Sequence, residues 1–123
     1  MEAFDGDIIK LAKENTYFRQ EVITGAHSQV VLMSIPPGGE IGEEIHEVDQ
    51  TLVFVQGGGK AILDGETTRI EESTLVFVPA GTKHNFINVG SDDLKLYTVY
   101  APPEHKPGTV HKTKEEADSA EHH

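Results

Sequence analysis

What most constrains the fold of this chain is a rhythm. Between residues 17 and 100, short runs rich in β-branched and aromatic residues (17–24, 28–35, 51–56, 60–63, 75–78, 86–89 and 94–100) alternate with turn-forming clusters. Examples are Pro36-Pro37-Gly38-Gly39, Gly57-Gly58-Gly59 and Gly90-Ser91-Asp92-Asp93. Such runs suit a pleated, half-buried surface, and the breaks supply the positive φ angles and fixed proline φ that tight reversals need. Short strands at close intervals predict a sandwich or barrel rather than βαβ units. Asp64-Gly65, set between 61–63 and 67–70, is a strong hairpin signal, because a two-residue turn demands backbone angles that glycine adopts freely.

The two ends read differently. Ile8, Leu11 and Ala12 fall at helical spacing within 7–15, which predicts a short helix that caps the strands. After Tyr100, the prolines at 102, 103 and 107 rule out a central strand, and the polar stretch 112–120 predicts an irregular surface tail, a helical turn aside. The expectation is one domain over 1–123, with a barrel core at about 28–101 and a tail at 102–123. His122 and His123 read equally as native residues or as the stub of a purification tag, and no chemistry is assigned to them.

The chain has no cysteine, so disulfides and thiolate chemistry are excluded and any bound metal must use His, carboxylate or amide groups. A formal net charge of −11 repels phosphate backbones and anionic membrane surfaces, which argues against nucleic-acid and membrane partners. No basic leader with an apolar stretch opens the sequence, and no window approaches the roughly 20 apolar residues of a membrane span. A soluble, cytoplasmic protein is expected.

Two segments carry residues with chemistry. In 38–57, Glu44 and His46 stand two apart, so an extended strand projects both from one face toward a common point. In 75–88, an apolar strand runs into Pro79-Ala80-Gly81, and a second strand opens on His84 with Phe86 and Asn88 on the same face. These segments resemble the two motifs of the cupin superfamily. The first motif (Gly, five residues, His-x-His, three or four residues, Glu, six residues, Gly) is met in spacing by Gly38, Glu44, His46, Gln50 and Gly57. The second (Gly, five residues, Pro-x-Gly, two residues, His, three residues, Asn) is met by Ser73, Pro79, Gly81, His84 and Asn88. Glu44 stands where the family usually has its first His, Gln50 where it has Glu, and Ser73 where it has Gly.

The resemblance spans roughly 30–100 and implies an all-β fold, an antiparallel jelly-roll barrel, of the kind found in small conserved-barrel cupins often named mannose-6-phosphate-isomerase-like. It further implies one divalent metal ion (Fe, Mn, Ni, Zn or Co) at the barrel mouth. Glu44, His46 and His84 would be ligands, and Gln50 a weak neutral ligand or a partner for bound water or substrate. Two imidazoles and a carboxylate resemble the facial set that leaves metal positions open for substrate. The expected function is therefore a metal-dependent enzyme acting on a small polar molecule in the barrel, isomerase-like or dioxygenase-like, with Glu44 as the catalytic proton carrier. A non-catalytic small-molecule-binding cupin and a structural dimeric cupin are the alternatives. Small cupins commonly pair, so a homodimer is expected, with 4–18 as a strand-exchange or capping element.

Elsewhere the plain readings are preferred. His27, His105 and His111 are expected in solvent, Glu43 as a solvated acid, and only one of Glu47 and Asp49 as inward. Leu52, Val53, Phe54, Val76, Phe77, Val78 and Phe86 are expected in the barrel core. A phosphorylated substrate is disfavoured, because Lys83 is the one cation near the mouth, with Arg19 and Arg69 of undetermined facing.

Overall fold

The structure is a computed structural model that describes residues 3–121; His122 and His123 lie outside the described residues. Helix α1 (Ile8–Glu14) begins at Asp7, whose carboxylate accepts the Lys10 N–H at 3.1 Å and satisfies one of the donors a helix start leaves open. Among the described residues the strands that follow are β1 (Arg19–Thr24), β2 (Gln29–Ile35), β3 (Asp49–Gln56), β4 (Gly59–Leu63), β5 (Glu66–Ile70), β6 (Leu75–Val78), β7 (His84–Asn88), β8 (Leu94–Ala101) and β9 (Val110–His111). Helix α2 (Lys114–Glu121) closes the order. The strands form a six-stranded antiparallel sheet, β6-β3-β8-β2-β1-β9, facing a three-stranded one, β5-β4-β7. This is the antiparallel all-β barrel that the rhythm of runs and turns predicts, and the jelly-roll that the motif resemblance implies; no described helix is long and apolar enough to cross a membrane.

Strand alternation decides what enters the barrel. Leu52 and Phe54 on β3, Leu94 and Leu96 on β8, and Met33 and Ile35 on β2 meet Ala61, Ile70 and Phe86 from the smaller sheet. Each large apolar side chain removed from water there contributes roughly 1.5–3 kcal/mol. Helix α1 lies on the outer face of the larger sheet, with Ala12 packed against Leu32 and Val55, so the N-terminal segment caps its own barrel. Asp64 and Gly65 turn β4 into β5 with φ of 48° and 85°, the pair of positive angles a two-residue I′ hairpin needs.

Two expectations change. Phe77 is not core: it is 50% exposed and its neighbour Leu75 59%, because β6 is an edge strand whose alternation sends Val76 and Val78 inward and the other two out. Val53, paired with Leu75 on the same outer face, is only half-buried. The C-terminal segment is also more regular than expected. It pairs with β1 as β9, then forms α2, in which Ala117 packs into the barrel core. The Thr113 hydroxyl accepts the Glu116 N–H and the Glu116 carboxylate accepts the Lys112 N–H, a variant of the capping box that starts the helix.

Candidate metal centre

The site is built on one pair of backbone positions. Glu44 and His84 exchange both N–H···O=C bonds at 2.9 Å, so they form a directly opposed antiparallel pair whose side chains leave the backbone on the same face. His46 is two residues on and returns to that face, its carbonyl pinned by the Gly81 N–H at 2.8 Å. One ligand atom from each of Glu44, His46 and His84 lies within 4.8 Å of the others, and the two imidazole centroids are 5.2 Å apart.

Hydrogen bonding aims the imidazoles. His84 Nδ1 lies 2.8 Å from the Thr82 carbonyl; a carbonyl only accepts, so Nδ1 carries the proton and Nε2 of the neutral ring is left with a lone pair. That Nε2 is buried and has no partner. His46 Nδ1 faces Glu104 at 3.6 Å, and its Nε2 faces Glu44 at 3.5 Å. Both rings thus have Nδ1 engaged outside the cluster and Nε2 turned into it, the orientation that outer partners impose on metal-binding histidines. A buried lone pair with no donor is costly unless something fills it, and a divalent cation among two Nε2 atoms and a carboxylate meets that need. The residues present therefore fit a metal.

Electrostatics agree. Burial pushes the Glu44 carboxyl up, but the hydrogen bond and charge of His46, together with Arg19 and His84, outweigh it and hold its pKa below the usual carboxylate value. Burial pulls His46 down, yet the hydrogen bond and charge of Glu44, with Glu104 behind it, raise the imidazole overall. The same carboxylates that raise His46 favour a bound proton there, and metal binding at this ring competes with that proton.

Gln50 is buried on the inward face of β3, its Nε2 donating to the Thr98 hydroxyl at 3.1 Å and its Oε1 left without a partner. It pairs in register with Tyr100, whose ring stands edge-on to His46 at 5.9 Å. Neither Glu47 nor Asp49 turns inward: both are exposed, because alternation gives the inner positions to Val48 and Gln50. Glu43 is exposed and pairs with Lys83 at 3.5 Å, and Arg69 is exposed beside Glu71.

Three residues escape the sequence reading. The chain leaves β8 through a cis Ala101–Pro102 peptide and runs as a strap, 102–109, that sets Glu104 beside His46 and His105 against Tyr100 before joining β9. His27 is exposed as expected, but His105, within the strap, packs its ring against Tyr100, centroids 5.1 Å apart. Burial first, then the positive charges of Arg19 and His46, push its imidazole down to about 3, so it is neutral. His111 sits on β9 opposite Arg19, their Nδ1 and guanidinium nitrogen 3.2 Å apart, and Arg19 itself is buried at 3% exposure. A buried polar contact with a residue 92 positions away leaves no local trace in a sequence.

Residues 31–100 match the family model described as a cupin domain. The chain is a cupin. The uncharacterized protein YrkC of Bacillus subtilis is 47% identical to this cupin across 94% of the present chain and 66% of its own length. The uncharacterized protein L612 of Acanthamoeba polyphaga mimivirus is 36% identical across 79% and 64%. The present cupin thus spans about two thirds of the length of either relative. The solved structure of BH2720 from Bacillus halodurans superposes with a TM-score of 0.94 at 40% identity, covering 96% of this chain and 95% of that one.

Proposed function

We propose that this cupin binds one divalent metal ion (Fe, Mn, Ni, Zn or Co) through Glu44, His46 and His84, and acts as a metal-dependent enzyme on a small polar substrate held in the barrel. The observation that carries the reading is the common aim of the two imidazoles, both Nδ1 atoms engaged outward, with the buried, partnerless Nε2 of His84 beside the Glu44 carboxylate.

When bound, the metal supplies Lewis-acid polarisation of a substrate oxygen, as isomerisation needs, or open positions for dioxygen, as an oxygenase needs. The protein's own groups do the rest. Thr82 and Glu104 fix the two rings. Glu44 offers a second carboxylate oxygen that accepts and returns a substrate proton, and Gln50 Oε1 accepts a hydrogen bond from a substrate hydroxyl or water. The strap and Tyr100 keep bulk water from one side of the cup. A homodimer belongs to the same reading, supported by Leu75 and Phe77 standing exposed on the β6 edge.

The test is elemental analysis of the parent beside Glu44→Ala and His84→Ala after dialysis against a weak chelator. About one equivalent in the parent, lost in both folded variants, supports the site and justifies a turnover screen of sugars and oxygen-dependent reactions. No metal in the parent after repletion would favour the non-catalytic binding or structural alternatives.

A further inference from the structure

The barrel holds a buried cation for which the metal reading has no use. Arg19 opens β1, pairs with Met33 of the barrel core across the sheet, and therefore points inward. It is 3% exposed, its guanidinium lies over the Phe18 ring at 5.3 Å, and one terminal nitrogen meets His111 at 3.2 Å. Its Nε–H is buried with no hydrogen-bond partner, and it forms no ion pair with any carboxylate among the described residues. Guanidinium does not deprotonate in a protein, so it cannot escape the cost of burial by becoming neutral, as a lysine would.

The charge balance of the filled site makes the demand sharper. Arg19 points into the same barrel that Glu44, His46 and His84 face, and its partner His111 lies on β9, which follows directly from the segment carrying Glu104 and His105. In the metal-free protein Glu44 balances it at a distance. A divalent ion beside the single carboxylate leaves one net positive charge, and Arg19 adds another; Glu104, on the far side of His46 with its side chain 29% exposed, offsets this only in part. A filled cup is an electropositive space with one unpaired, buried N–H donor facing the barrel, and His105 Nε2, also buried and without a partner, belongs to the strap itself.

We infer that Arg19 is the anion-recognition residue of the cup, and that the molecule bound there is a small organic acid whose carboxylate takes the free Nε–H while a neighbouring oxygen faces the metal. The inference rests on the metal reading above and names the substrate class for it. A neutral sugar would leave the guanidinium without a counter-charge. A phosphate ester would need more donors than one N–H: Lys83 and Arg69 are exposed and pair with Glu43 and Glu71, and Lys114, whose charge reaches Glu44, is held by Asp118 at 2.8 Å.

The test uses calorimetry on the full chain. Zn²⁺ is titrated first, then pyruvate, hydroxyacetone (the same carbonyl without the carboxylate) and inorganic phosphate are each titrated into the Zn²⁺-loaded protein. The expected result is saturable pyruvate binding, with hydroxyacetone and phosphate about 30-fold weaker or undetectable. Arg19→Met should lose pyruvate affinity by about 30-fold or more while its Zn²⁺ affinity stays within a few-fold. Should Arg19→Met fail to fold, Arg19→Lys replaces it, keeping the charge but losing the Nε–H; the comparison among ligands needs no variant. Equal binding of pyruvate and hydroxyacetone, tighter binding of phosphate, no pyruvate binding at millimolar concentration, or unchanged pyruvate affinity in the folded variant would each overturn the inference. Failure of Zn²⁺ to bind the parent would instead remove the metal reading beneath it.

Discussion

The two ends of β7 carry two buried polar side chains four residues apart, and they are built on opposite plans. Asn88 is saturated: its Nδ2 donates to the carbonyls of Ile35 at 2.8 Å and Asp92 at 2.9 Å, and its Oδ1 accepts the Gly90 N–H at 2.9 Å. His84 is left unfinished, with Nδ1 fixed to Thr82 and Nε2 buried without a partner. Both fall on one motif and both are almost fully buried, yet the first ties β2, β7 and the turn into β8 together while the second leaves a valence facing the cup. A buried polar group whose bonds all close within the chain is part of the scaffold; one with a bond left open toward a cluster of like groups is part of a site.

Substitutions separate the two plans. Asn88→Ala is expected to have the largest effect on folding, lowering stability by about 3 kcal/mol or more in urea denaturation, because three backbone groups lose their partner in a dry environment. His84→Leu should do the reverse. It should leave the stability of the metal-free protein within about 1 kcal/mol, since the lost polar atom had only one bond, and weaken metal binding at least about 100-fold by calorimetric titration. If His84→Leu unfolds the chain while retaining metal in its folded fraction, the contrast between the two residues collapses.

His105 sharpens the contrast, because its Nε2 is also buried and unpaired but lies outside the Glu44–His46–His84 cluster. His105→Phe should leave metal content unchanged and show itself in pH dependence. Burial, with Arg19 and His46 beside it, holds this imidazole near 3 in the fold, against 6.5 as its ordinary value. The unfolded chain therefore binds the extra proton, and stability falls as pH drops from about 6.5 toward 3, with a slope of at most about 1.4 kcal/mol per pH unit. The phenylalanine variant should lose that part of the slope in denaturation curves collected at several pH values. The smallest effect is expected at Ser73, which has no polar role in the barrel. It occupies the left-handed region at φ 73°, where the motif has glycine, so Ser73→Gly should stabilise by about 1 kcal/mol, read from the shift in denaturation midpoint.

Much of the fold was legible because its causes are local. The runs and turns place every strand from β1 to β8 within two residues of its observed ends, and Asp64-Gly65 sets one hairpin by backbone angle alone. The cluster of Glu44, His46 and His84 was legible for a related reason: Glu44 and His46 share a face by strand period, and the motif spacing brings His84 opposite Glu44. What escaped depends on partners far away. Phe77 looks like core in any apolar run, and only the sheet order makes β6 an edge. Arg19 gains its inward position by pairing with Met33 and His111. The helix α2 did leave a readable sign, Thr113-x-x-Glu116, which the proline-rich stretch before it obscured.

One feature of the strap bears on how such a cup changes over time. Gln29, wholly buried, holds the strap by main-chain atoms alone: its Oε1 accepts the N–H groups of Glu104 and His105, and its Nε2 donates to the His105 carbonyl. The grip is indifferent to what residues 104 and 105 are, provided neither is proline. Mutation can thus exchange the side chains set beside His46 and Tyr100 without loosening the backbone that presents them, which makes this short segment a rewritable label on a fixed frame.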